Sequence, residues 1–446
     1  MKKILLVVLF LIVANATVFA QDCGDDFLGT KTLYKNPAQK NIPVPAGYTS
    51  VFINHVGRHG ARHLTKTVES TFAYNLLFQA DSAGQLSGDG LKLKEMVLAL
   101  QKAEDGNTKS VSGEGRLELE GIGKRMGKNY SGIFAGGATL NIRITKEART
   151  KQSADAFLQG LNKNISPPLS ADYHTDDTNL RFYDLSPGYK KFEDAIDSNE
   201  PKMSFDKQLH LNGINNAVSS RFFKPEFLNK LNALQKGKFV SDLLGFATIV
   251  YSLQAEISKA GLSMKDVDFK SFFTCDQLTA LSISDSADEY LKKGPGADNN
   301  GIQVRVAVPL LVDFIKSADD FIKSGKYNAE LRFAHAETIA PFAALLQIAG
   351  ADKSGTNLGQ ISKVWQASKV IPLSSNIQWI FYKKNGSEEY LVKILLNEKE
   401  SSITGLVPVR KSYYKWKDLR TFYMKKLASY HVKLSDDMNT YLADLK

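Results

Sequence analysis

Predicted strands and helices alternate near both ends of the chain, and a long helical stretch separates the two alternating regions. Short apolar strands bounded by turn residues are predicted at 49–56, 138–144, 331–334, 377–382 and 390–396. The last two flank Asn385-Gly386, which is a strong hairpin pattern. Between the alternating regions, 165–300 has mostly helical periodicity and ends in a loop rich in Gly and Asn. The order predicts one α/β sheet domain formed by 21–164 and 301–446, with 165–300 inserted as an α-helical cap.

Helical periodicity fills most of the remaining sequence. It is predicted after the first strand and at the C-terminus, over 68–104, 114–134 and 413–432. Another helix is predicted to begin at Thr338. In an open α/β sheet, ligands bind at the carboxyl ends of the strands. We therefore expect the chemistry to lie in the residues that follow the strands.

The N-terminus has the three parts of a secretory signal peptide. Lys2 and Lys3 precede an apolar run over 4–13, and small residues follow as far as Ala20. The pattern predicts a leader over 1–20 that is cleaved after Ala20, and therefore an exported protein, periplasmic or secreted. An N-terminal membrane anchor is the alternative.

The chain is basic, with a formal net charge of +10, which loss of the leader lowers by two. A positive field favours anionic partners such as nucleic acid, an anionic membrane or a phosphorylated substrate. The basic residues are not clustered, and the sequence has no DNA- or RNA-binding motif, which argues against nucleic acid. No internal apolar run reaches the ~18 residues of a membrane span, which argues against stable membrane insertion. A small polyanion fits best, and no pattern specifies an oligomeric state.

The chain has two cysteines, Cys23 and Cys275. In an exported protein they can pair, and the bridge would hold an N-terminal tail. Two free thiols are equally compatible with the sequence. A zinc site with four thiolate ligands is excluded by the count.

The segment Arg58-His59-Gly60-Ala61-Arg62 follows the first strand and has the residue types that phosphoryl transfer needs. Arginine forks can neutralise the oxygens of a transferring phosphoryl group. An imidazole can attack phosphorus and carry the phosphoryl group covalently. Arg149, shortly after the second strand, would add a third guanidinium. For an isolated segment of this kind, a structural histidine beside surface arginines is an equally good interpretation.

His335-Ala336-Glu337 follows the strand at 331–334. His335 can donate to a phosphoryl oxygen, and Glu337 can protonate a leaving alkoxide, which is a poor leaving group without a proton. The alternative is helix capping, since a Glu in the first helical turn favours the macrodipole. The two motifs together favour the catalytic interpretation.

These motifs, with Arg149 in Arg149-Thr150-Lys151-Gln152-Ser153-Ala154, resemble the histidine acid phosphatases. Glu337 in the His-Ala-Glu-Thr form, together with Leu396-Asn397-Glu398, looks like the multiple inositol polyphosphate phosphatase branch, which includes phytases. The resemblance covers roughly 49–400 and is weakest in the middle. It implies an open α/β sandwich core like that of phosphoglycerate mutase, a helical cap, and inositol hexakisphosphate (phytate) as substrate.

The resemblance also implies the roles of individual residues. His59 would be the nucleophile and Glu337 the proton donor, with no metal and no cofactor. The residues that would hold substrate phosphates are Arg58, Arg62, Arg149 and His335, with Thr65 and Lys66 as further contacts. Leu64 stands where the family often has proline, and Glu337 is one methylene longer than the usual aspartate, so positional specificity on the inositol ring is not implied.

Three other functions are compatible with parts of the pattern. A broader-specificity acid phosphatase would share all the motifs. A phosphoglycerate-mutase-like transferase or sugar-phosphate phosphatase shares Arg-His-Gly but usually has Glu directly after it, where this chain has Ala61. A non-catalytic polyanion-binding protein would lack His59 or the acid. A metal face formed by His55, His59 and His63 is disfavoured because glycines interrupt the helical spacing.

Two charged segments can be interpreted either as part of a substrate pocket or as ordinary solvated surface. Arg181, Lys190 and Lys191 can line the cap side of a pocket, although solvated surface positions are the better prediction for each.

Overall fold

The computed structural model describes residues 23–24, 26–37, 43–163, 165–166, 168–169, 172–196 and 198–446. The predicted leader over 1–20 lies outside the described residues. In the described part, no helix is both long and apolar enough to cross a membrane.

A mixed eight-stranded sheet forms the centre of the molecule, in the order β3-β2-β4-β1-β5-β6-β7, with β8 also paired to β6. The strands are β1 Tyr48–Arg58, β2 Leu140–Ile144, β3 Tyr173–Thr175, β4 Ala329–Ala334, β5 Asn376–Lys384, β6 Tyr390–Leu396, β7 Lys399–Glu400 and β8 Tyr413–Lys415. β1 and β2 both run parallel to β4, and β5 runs antiparallel to β1. The carboxyl ends of β1, β4 and β2 therefore meet at one edge of the sheet.

The helices before the predicted cap are α1 Phe72–Ser82, α2 Gly88–Glu104, α3 Gly113–Asn129, α4 Ser131–Phe134 and α5 Ala148–Asn162. Those within 165–300 are α6 Asp177–Leu180, α7 Phe182–Leu185, α8 Pro187–Ile196, α9 Glu200–Gln208, α10 Leu211–Ser220, α11 Pro225–Leu228, α12 Ala233–Ile249, α13 Gln254–Lys259 and α14 Cys275–Lys292. Those after it are α15 Ile302–Arg305, α16 Val308–Ser324, α17 Ala336–Leu345, α18 Leu358–Val364, α19 Ala367–Val370, α20 Trp416–Ser429 and α21 Met438–Asp444. Short 3-10 helices lie at Asp26–Lys31, Val68–Ser70, Val250–Leu253, Met264–Val267 and Phe269–Phe272.

Helices cover both faces of the sheet because the central strands are apolar on both sides. On one face, Phe52 and Val56 of β1 pack into a core shared with α16, α17 and α20. On the other, Ile53 of β1 joins Ile142 of β2 in a core with α3 and α5. This layered arrangement confirms the predicted α/β fold class.

A third hydrophobic core lies beside the sheet domain. It combines residues of α1 and α2 with residues of α10, α12 and α14. Two of these helices precede 165–300 in the sequence, while β3, within that range, belongs to the sheet. The division into core and cap at 164 and 301 stays a prediction.

Local sequence explains where several helices begin. The Ser87 and Ser112 hydroxyls accept from the backbone N–H groups of Gly90 and Gly115 at the starts of α2 and α3. Thr274 and Gln277 form a reciprocal capping box at the start of α14. These caps fix the first turns of helices that border the site described below.

Two predicted boundaries differ from the structure. The predicted helix over 413–432 begins only at Trp416, because Tyr413 and Tyr414 are buried and Tyr413–Lys415 pairs with β6 as β8. The predicted start at Thr338 is two residues late, since α17 begins at Ala336 with His335 as its N-cap.

Cys23 and Cys275 form a disulfide. The bond joins the N-terminal segment to the first residue of α14. We call residues 26–34, which follow Cys23, the N-terminal strap. The Ser282 hydroxyl of α14 also donates to the Asp26 carbonyl, at 3.2 Å. The bridge therefore ties the strap to a helix of the predicted cap.

Candidate active site

Two adjacent strand ends bring His59 and His335 together. Arg58, the last residue of β1, is paired with Ala334, the last residue of β4. The His59 N–H donates to the Ala334 carbonyl at 2.9 Å, and the two imidazole rings lie 5.6 Å apart between centroids. The two predicted motifs thus occupy one place, although 275 residues of sequence lie between them.

The imidazole of His59 is buried and oriented by its own loop. Its Nδ1 is 2.9 Å from the Gly60 carbonyl, an acceptor only, so the network assigns the proton to Nδ1. Nε2 is then left with its lone pair. Burial lowers the pKa of His59 well below its usual value, and Arg58 and Arg62 lower it further. The ring is therefore neutral and nucleophilic at Nε2.

Two facing glycines allow the loop after β1 to lie directly on α3. A Cβ on Gly60 would stand 2.7 Å from the Gly115 carbonyl oxygen, and a Cβ on Gly115 would stand 2.1 Å from the Ala61 oxygen. Both distances are prohibitive, and both neighbouring atoms belong to the backbone. Glycine is required at each position so that the loop can approach the helix.

Glu118 of α3 holds the loop and the N-terminal strap together. One carboxylate oxygen accepts from the Ala61 N–H at 3.0 Å and from the Ser374 hydroxyl at 2.7 Å, and the other accepts from the Tyr34 N–H at 2.7 Å. Burial raises the pKa of Glu118, although these donors favour the carboxylate. Sequence reasoning missed this residue, because one Glu on a charged helix has the pattern of a solvated position.

Arg58 is fixed by two backbone carbonyls. Its Nη1 donates to Thr30 of the strap at 2.7 Å and to the Ile371 carbonyl at 2.6 Å. The side chain is buried, and Arg58 Nε has no hydrogen-bond acceptor within the described residues. Burial lowers the pKa of this guanidinium, which still carries its charge. It is a preorganised cation beside His59 with donor capacity to spare.

A chain of hydrogen bonds links Arg149 to the end of β2. Arg149 Nη2 lies 3.2 Å from His335 Nδ1, and His335 Nε2 lies 3.1 Å from the Thr145 hydroxyl. Since a guanidinium can only donate, Nδ1 accepts and Nε2 carries the proton. Burial lowers the pKa of His335 to about 3, with Arg149 lowering it further. In this tautomer His335 orients Arg149, and a donation from Nδ1 to a phosphoryl oxygen would require a second proton.

Glu147 connects two arginines at the border of the site. Its carboxylate binds Arg149 Nη1 at 2.7 Å and Arg181 Nη1 at 2.8 Å. Arg181 also pairs with Asp184, so it is not a freely solvated surface residue. Its charge contributes to the lowered pKa of His335.

Arg62 lies within the same group of charges. Its Nη1 donates to the His63 carbonyl at 2.8 Å. Burial lowers the pKa of Arg62 to about 10, and Arg58 and Arg149 contribute in the same direction, while Glu337 opposes them. Three guanidiniums thus influence one another around His59, which is an arrangement that a dianionic group would stabilise.

Glu337, the predicted proton donor, lies in the first turn of α17. Burial raises the pKa of Glu337, but the nearby Lys293 and His335 outweigh it, so the pKa lies far below its usual value. Lys293 Nζ is 3.1 Å from Glu337 Oε1. Without substrate, Glu337 is a carboxylate.

Lys31 of the strap contributes another cation. Burial lowers the pKa of Lys31 to about 8, and Arg62 and Arg58 lower it further, while Asp285 and Glu289 of α14 raise it. Lys31 therefore lies between the arginines and the acidic residues of α14.

Thr65 and Lys66 are exposed. Lys66 Nζ is 3.6 Å from Asp242 of α12, and Lys66 borders a polar cleft of about 990 Å³ that Asp206 also lines. Contacts of these two residues with substrate phosphates stay a prediction.

Sequence reasoning missed Glu118, Glu147, Lys31 and Lys293. Each is a single charged residue without a local motif. Glu118, Lys31 and Lys293 meet their site partners through the tertiary fold, whereas Glu147 pairs with the nearby Arg149 and reaches Arg181 across the fold. No pattern in the sequence distinguishes them from charges on a solvated face.

Comparison with known proteins agrees with this geometry. The family model of the histidine phosphatase superfamily (branch 2) matches residues 51–397. No protein with a curated description matches the chain.

Several solved structures share the fold at low sequence identity. A Bifidobacterium longum multiple inositol polyphosphate phosphatase in complex with inositol hexasulfate is 21% identical with a TM-score of 0.78, covering 92% of this chain and 99% of that one. A phytase from D. castellii is 15% identical with a TM-score of 0.66, covering 90% and 85%. A Hafnia alvei phytase in complex with tartrate is 14% identical with a TM-score of 0.52, covering 87% and 98%.

Proposed function

The chain belongs to the histidine phosphatase superfamily (branch 2), and we propose that it hydrolyses inositol polyphosphates, with phytate as the principal substrate, through a phosphohistidine at His59. The observation that carries the proposal is the state of His59, a neutral imidazole with Nδ1 bound to Gly60 and Nε2 available among three arginines. A nucleophile surrounded by fixed cations is what attack on an anionic phosphoryl group requires.

In the first step, the Nε2 lone pair of His59 forms a bond to phosphorus while the bond from phosphorus to the inositol oxygen breaks. Arg58, Arg62 and Arg149 neutralise the phosphoryl oxygens. The leaving alkoxide takes a proton from Glu337, because an inositol alkoxide is too basic to leave unprotonated.

In the second step, water attacks the phosphohistidine and the nitrogen–phosphorus bond breaks. The Glu337 carboxylate takes a proton from that water. Inorganic phosphate leaves, and His59 returns to its neutral form. Glu337 serves as acid and then as base, and it returns to the carboxylate of the free enzyme when its proton leaves with the inorganic phosphate.

Glu337 is ionised before substrate binds, so the proton for the first step must enter with the substrate. A phosphate monoester carries one proton below its second pKa, ~6. Placing a phosphoryl dianion beside Glu337 raises the pKa of that carboxyl, because like charges disfavour ionisation. We therefore propose that the monoanionic ester is the form that reacts.

Two observations support a substrate with several phosphates. Lys31 adds a cation beyond the three arginines that surround one phosphoryl group. The Bifidobacterium longum enzyme, which shares the fold, has been solved with inositol hexasulfate, a hexa-anionic ester.

The experiment is phosphate release from phytate in the presence of EDTA, by the wild type, His59→Ala and His174→Ala. His174 is an exposed histidine of β3 and serves as the matched control. We expect release by the wild type and the control and a loss of at least ~10³-fold in His59→Ala. A wild type that cleaves only an aryl phosphate would overturn the inositol assignment, and one that cleaves neither ester would overturn the enzymatic proposal.

We also propose that the protein is exported after removal of residues 1–20. The Cys23–Cys275 disulfide supports this, since structural disulfides persist in oxidising compartments. Intact-mass measurement of the protein from its native host should give a chain that begins at Gln21. A mature chain that retains residues 1–20 would contradict the proposal.

A further inference from the structure

Lys293 links the predicted cap to the proposed acid. It follows the last residue of α14 and lies opposite the first turn of α17. Its Nζ is 3.1 Å from Glu337 Oε1 and 2.9 Å from Glu289 Oε2, and its side chain is only 12% exposed. A buried ammonium between two carboxylates has little freedom to leave either one.

Glu289 anchors this ammonium from one turn earlier on the same helix. The Lys293 N–H donates to the Glu289 carbonyl at 2.9 Å, so backbone and side chain fix the pair together. A lysine at a helix C-terminus also complements the macrodipole. The ammonium is therefore anchored to α14 as well as to Glu337.

Other ionisable groups also face Glu337, from each element packed around it. They are Arg58 at the end of β1, Arg62 in the following loop, His335 at the end of β4, Tyr183 of α7, Tyr189 and Glu193 of α8, and Glu289 beside Lys293. Of the described charges, Lys293 is the cation whose ion pair with Glu337 is seen directly.

We propose that Lys293 is a positioning residue for Glu337: its ammonium, anchored by Glu289, holds the carboxylate beside the phosphoryl site so that it can take the proton of a monoanionic ester. The inference rests on the proposed function. It goes further by assigning a residue of the predicted cap to the proton-transfer half of the reaction.

The proton balance is complete without another acid. The ester enters with one proton on a phosphoryl oxygen, and that proton moves to Glu337 as the arginines stabilise the dianion. Glu337 then gives it to the inositol oxygen when the bond from that oxygen to phosphorus breaks. Lys293 keeps its own protons throughout, since both neighbouring carboxylates stabilise its charged form and raise its pKa.

This arrangement sets the acidic limb of the pH profile. The reactive complex holds one proton, which the ester and Glu337 share. A complex that holds two protons, one on the ester and one on Glu337, is unreactive because no carboxylate is left to take the proton of the ester. The profile of kcat/KM therefore falls below the pKa of Glu337 in the free enzyme. Loss of the Lys293 charge would raise that pKa toward the ordinary Glu value of ~4.3 and move the acidic limb to higher pH.

The test is kcat/KM for phytate from about pH 2.5 to pH 7, for the wild type, Lys293→Met, Lys293→Arg and Lys292→Met. We expect Lys293→Met to raise the midpoint of the acidic limb to about pH 4, which gives a roughly tenfold loss at pH 3 relative to pH 5. In the wild type, where the pKa of Glu337 lies far below its usual value, the loss over the same interval should be small. Lys293→Arg keeps the charge and should keep the limb near its wild-type position. Lys292→Met removes the adjacent lysine, which pairs with Asp288, and should leave the limb unchanged.

Two further variants make the result independent of folding defects. Glu289→Gln weakens the anchor of Lys293 while leaving its ammonium in place, and should move the limb in the same direction by less. In a Glu337→Gln background the acidic limb should be absent from the residual activity, and Lys293→Met should change the profile no further, because its target is gone. Thermal melts of each variant establish that the fold is intact.

An active wild type with the same acidic limb in Lys293→Met would overturn this inference alone. So would a Lys293→Met variant whose KM rises equally at every pH, since that result identifies a phosphate ligand and not a positioning residue. A wild type inactive on every ester would remove the proposed function and this inference with it.

Discussion

The two sides of the candidate site are built differently. The sheet side holds His59, Arg58, Arg149 and His335 at three neighbouring strand ends, and its histidines are neutral while its arginines stay charged. The opposite side, formed by α14 and the N-terminal strap, mixes cations and carboxylates in Lys31, Lys293, Glu289 and Asp285. The sheet side is suited to hold a phosphoryl group, and the other side is suited to control a proton. Glu337 lies where the two meet.

Among the variants that distinguish the roles of the two sides, Glu337→Gln should cause the largest loss of phytate turnover. The variant keeps the shape of the side chain and loses the proton, so phytate turnover should fall by ~10²–10⁴-fold. An aryl phosphate, whose leaving group needs no proton, should lose far less.

The measurement is kcat on both esters, with Glu193→Gln as the control. Glu193 faces Glu337 from α8 without touching it in any described contact, and its variant should behave like the wild type. Equal losses on the two esters in Glu337→Gln would contradict its role as the acid.

A smaller effect is expected from Glu118→Gln, which perturbs only the sheet side. A glutamine offers one acceptor oxygen where three donors now meet a carboxylate, and an unsatisfied buried donor costs ~1–3 kcal/mol. Misplacing the loop of His59 should lower kcat by roughly tenfold on both esters alike.

The control for this prediction is Glu120→Gln on the same helix, where the side chain pairs with the half-exposed Lys163. It should change kcat little. A loss confined to phytate in Glu118→Gln would mean that Glu118 acts on the acid and not on the loop.

Removal of the disulfide, which affects the strap side, should lower activity by less than Glu118→Gln does. The strap gives Arg58 its Thr30 acceptor, and Cys23–Cys275 ties that strap to α14. In Cys275→Ser we expect a fall of a few-fold in activity and a loss of ~2–4 kcal/mol of stability.

Activity and thermal melting, each with and without reductant, give the measurement. Reductant should affect the wild type and should not affect Cys275→Ser further. Lower stability with unchanged activity would show that the strap stabilises the fold without positioning Arg58.

The smallest effect on activity is expected from His63→Gln. His63 lies in the loop after β1 and joins that loop to α2 and α13. Its Nδ1 lies 3.0 Å from Glu104 and its Nε2 3.7 Å from Glu256. Burial lowers the pKa of His63, but the two glutamates outweigh burial and raise the pKa to about 9.

The sign of the pH dependence follows from that shift. A pKa raised above its unfolded value of ~6.5 stabilises the fold fully below that pH, and the stabilisation is lost as the pH rises through about 9. The melting difference between the wild type and His63→Gln should therefore shrink between pH 6 and pH 9.5. An equal difference in melting temperature at both pH values would contradict a charged His63. The control is His174→Gln, at an exposed site.

The sheet side of the site could be predicted from the sequence because its information is local. Each motif follows a recognisable strand, and parallel strands align their carboxyl ends, so His59 and His335 were expected to meet. Periodicity also identified β1, β4, β5 and β6. It could not separate β8 from α20, because Tyr413 and Tyr414 become buried only through pairing with β6.

The other side could not be predicted because its information is distributed. Lys293 and Glu118 meet the motifs only after helices far away in the sequence have packed. A charged residue with helical spacing predicts solvent exposure when no partner is visible. The pairing of Cys23 with Cys275 was left open for the same reason, since it depends on where α14 lies.

The most direct test of the central claim is to trap the phosphoryl group during turnover. Enzyme mixed with phytate and quenched in alkali, where phosphohistidine survives, is digested and its peptides are mapped by mass spectrometry. Phosphate on His59 in the wild type, and none in His59→Ala, is the predicted result. Phosphate on another side chain, or an unmodified protein at every quench time during rapid turnover, would contradict the assignment of His59 as the nucleophile.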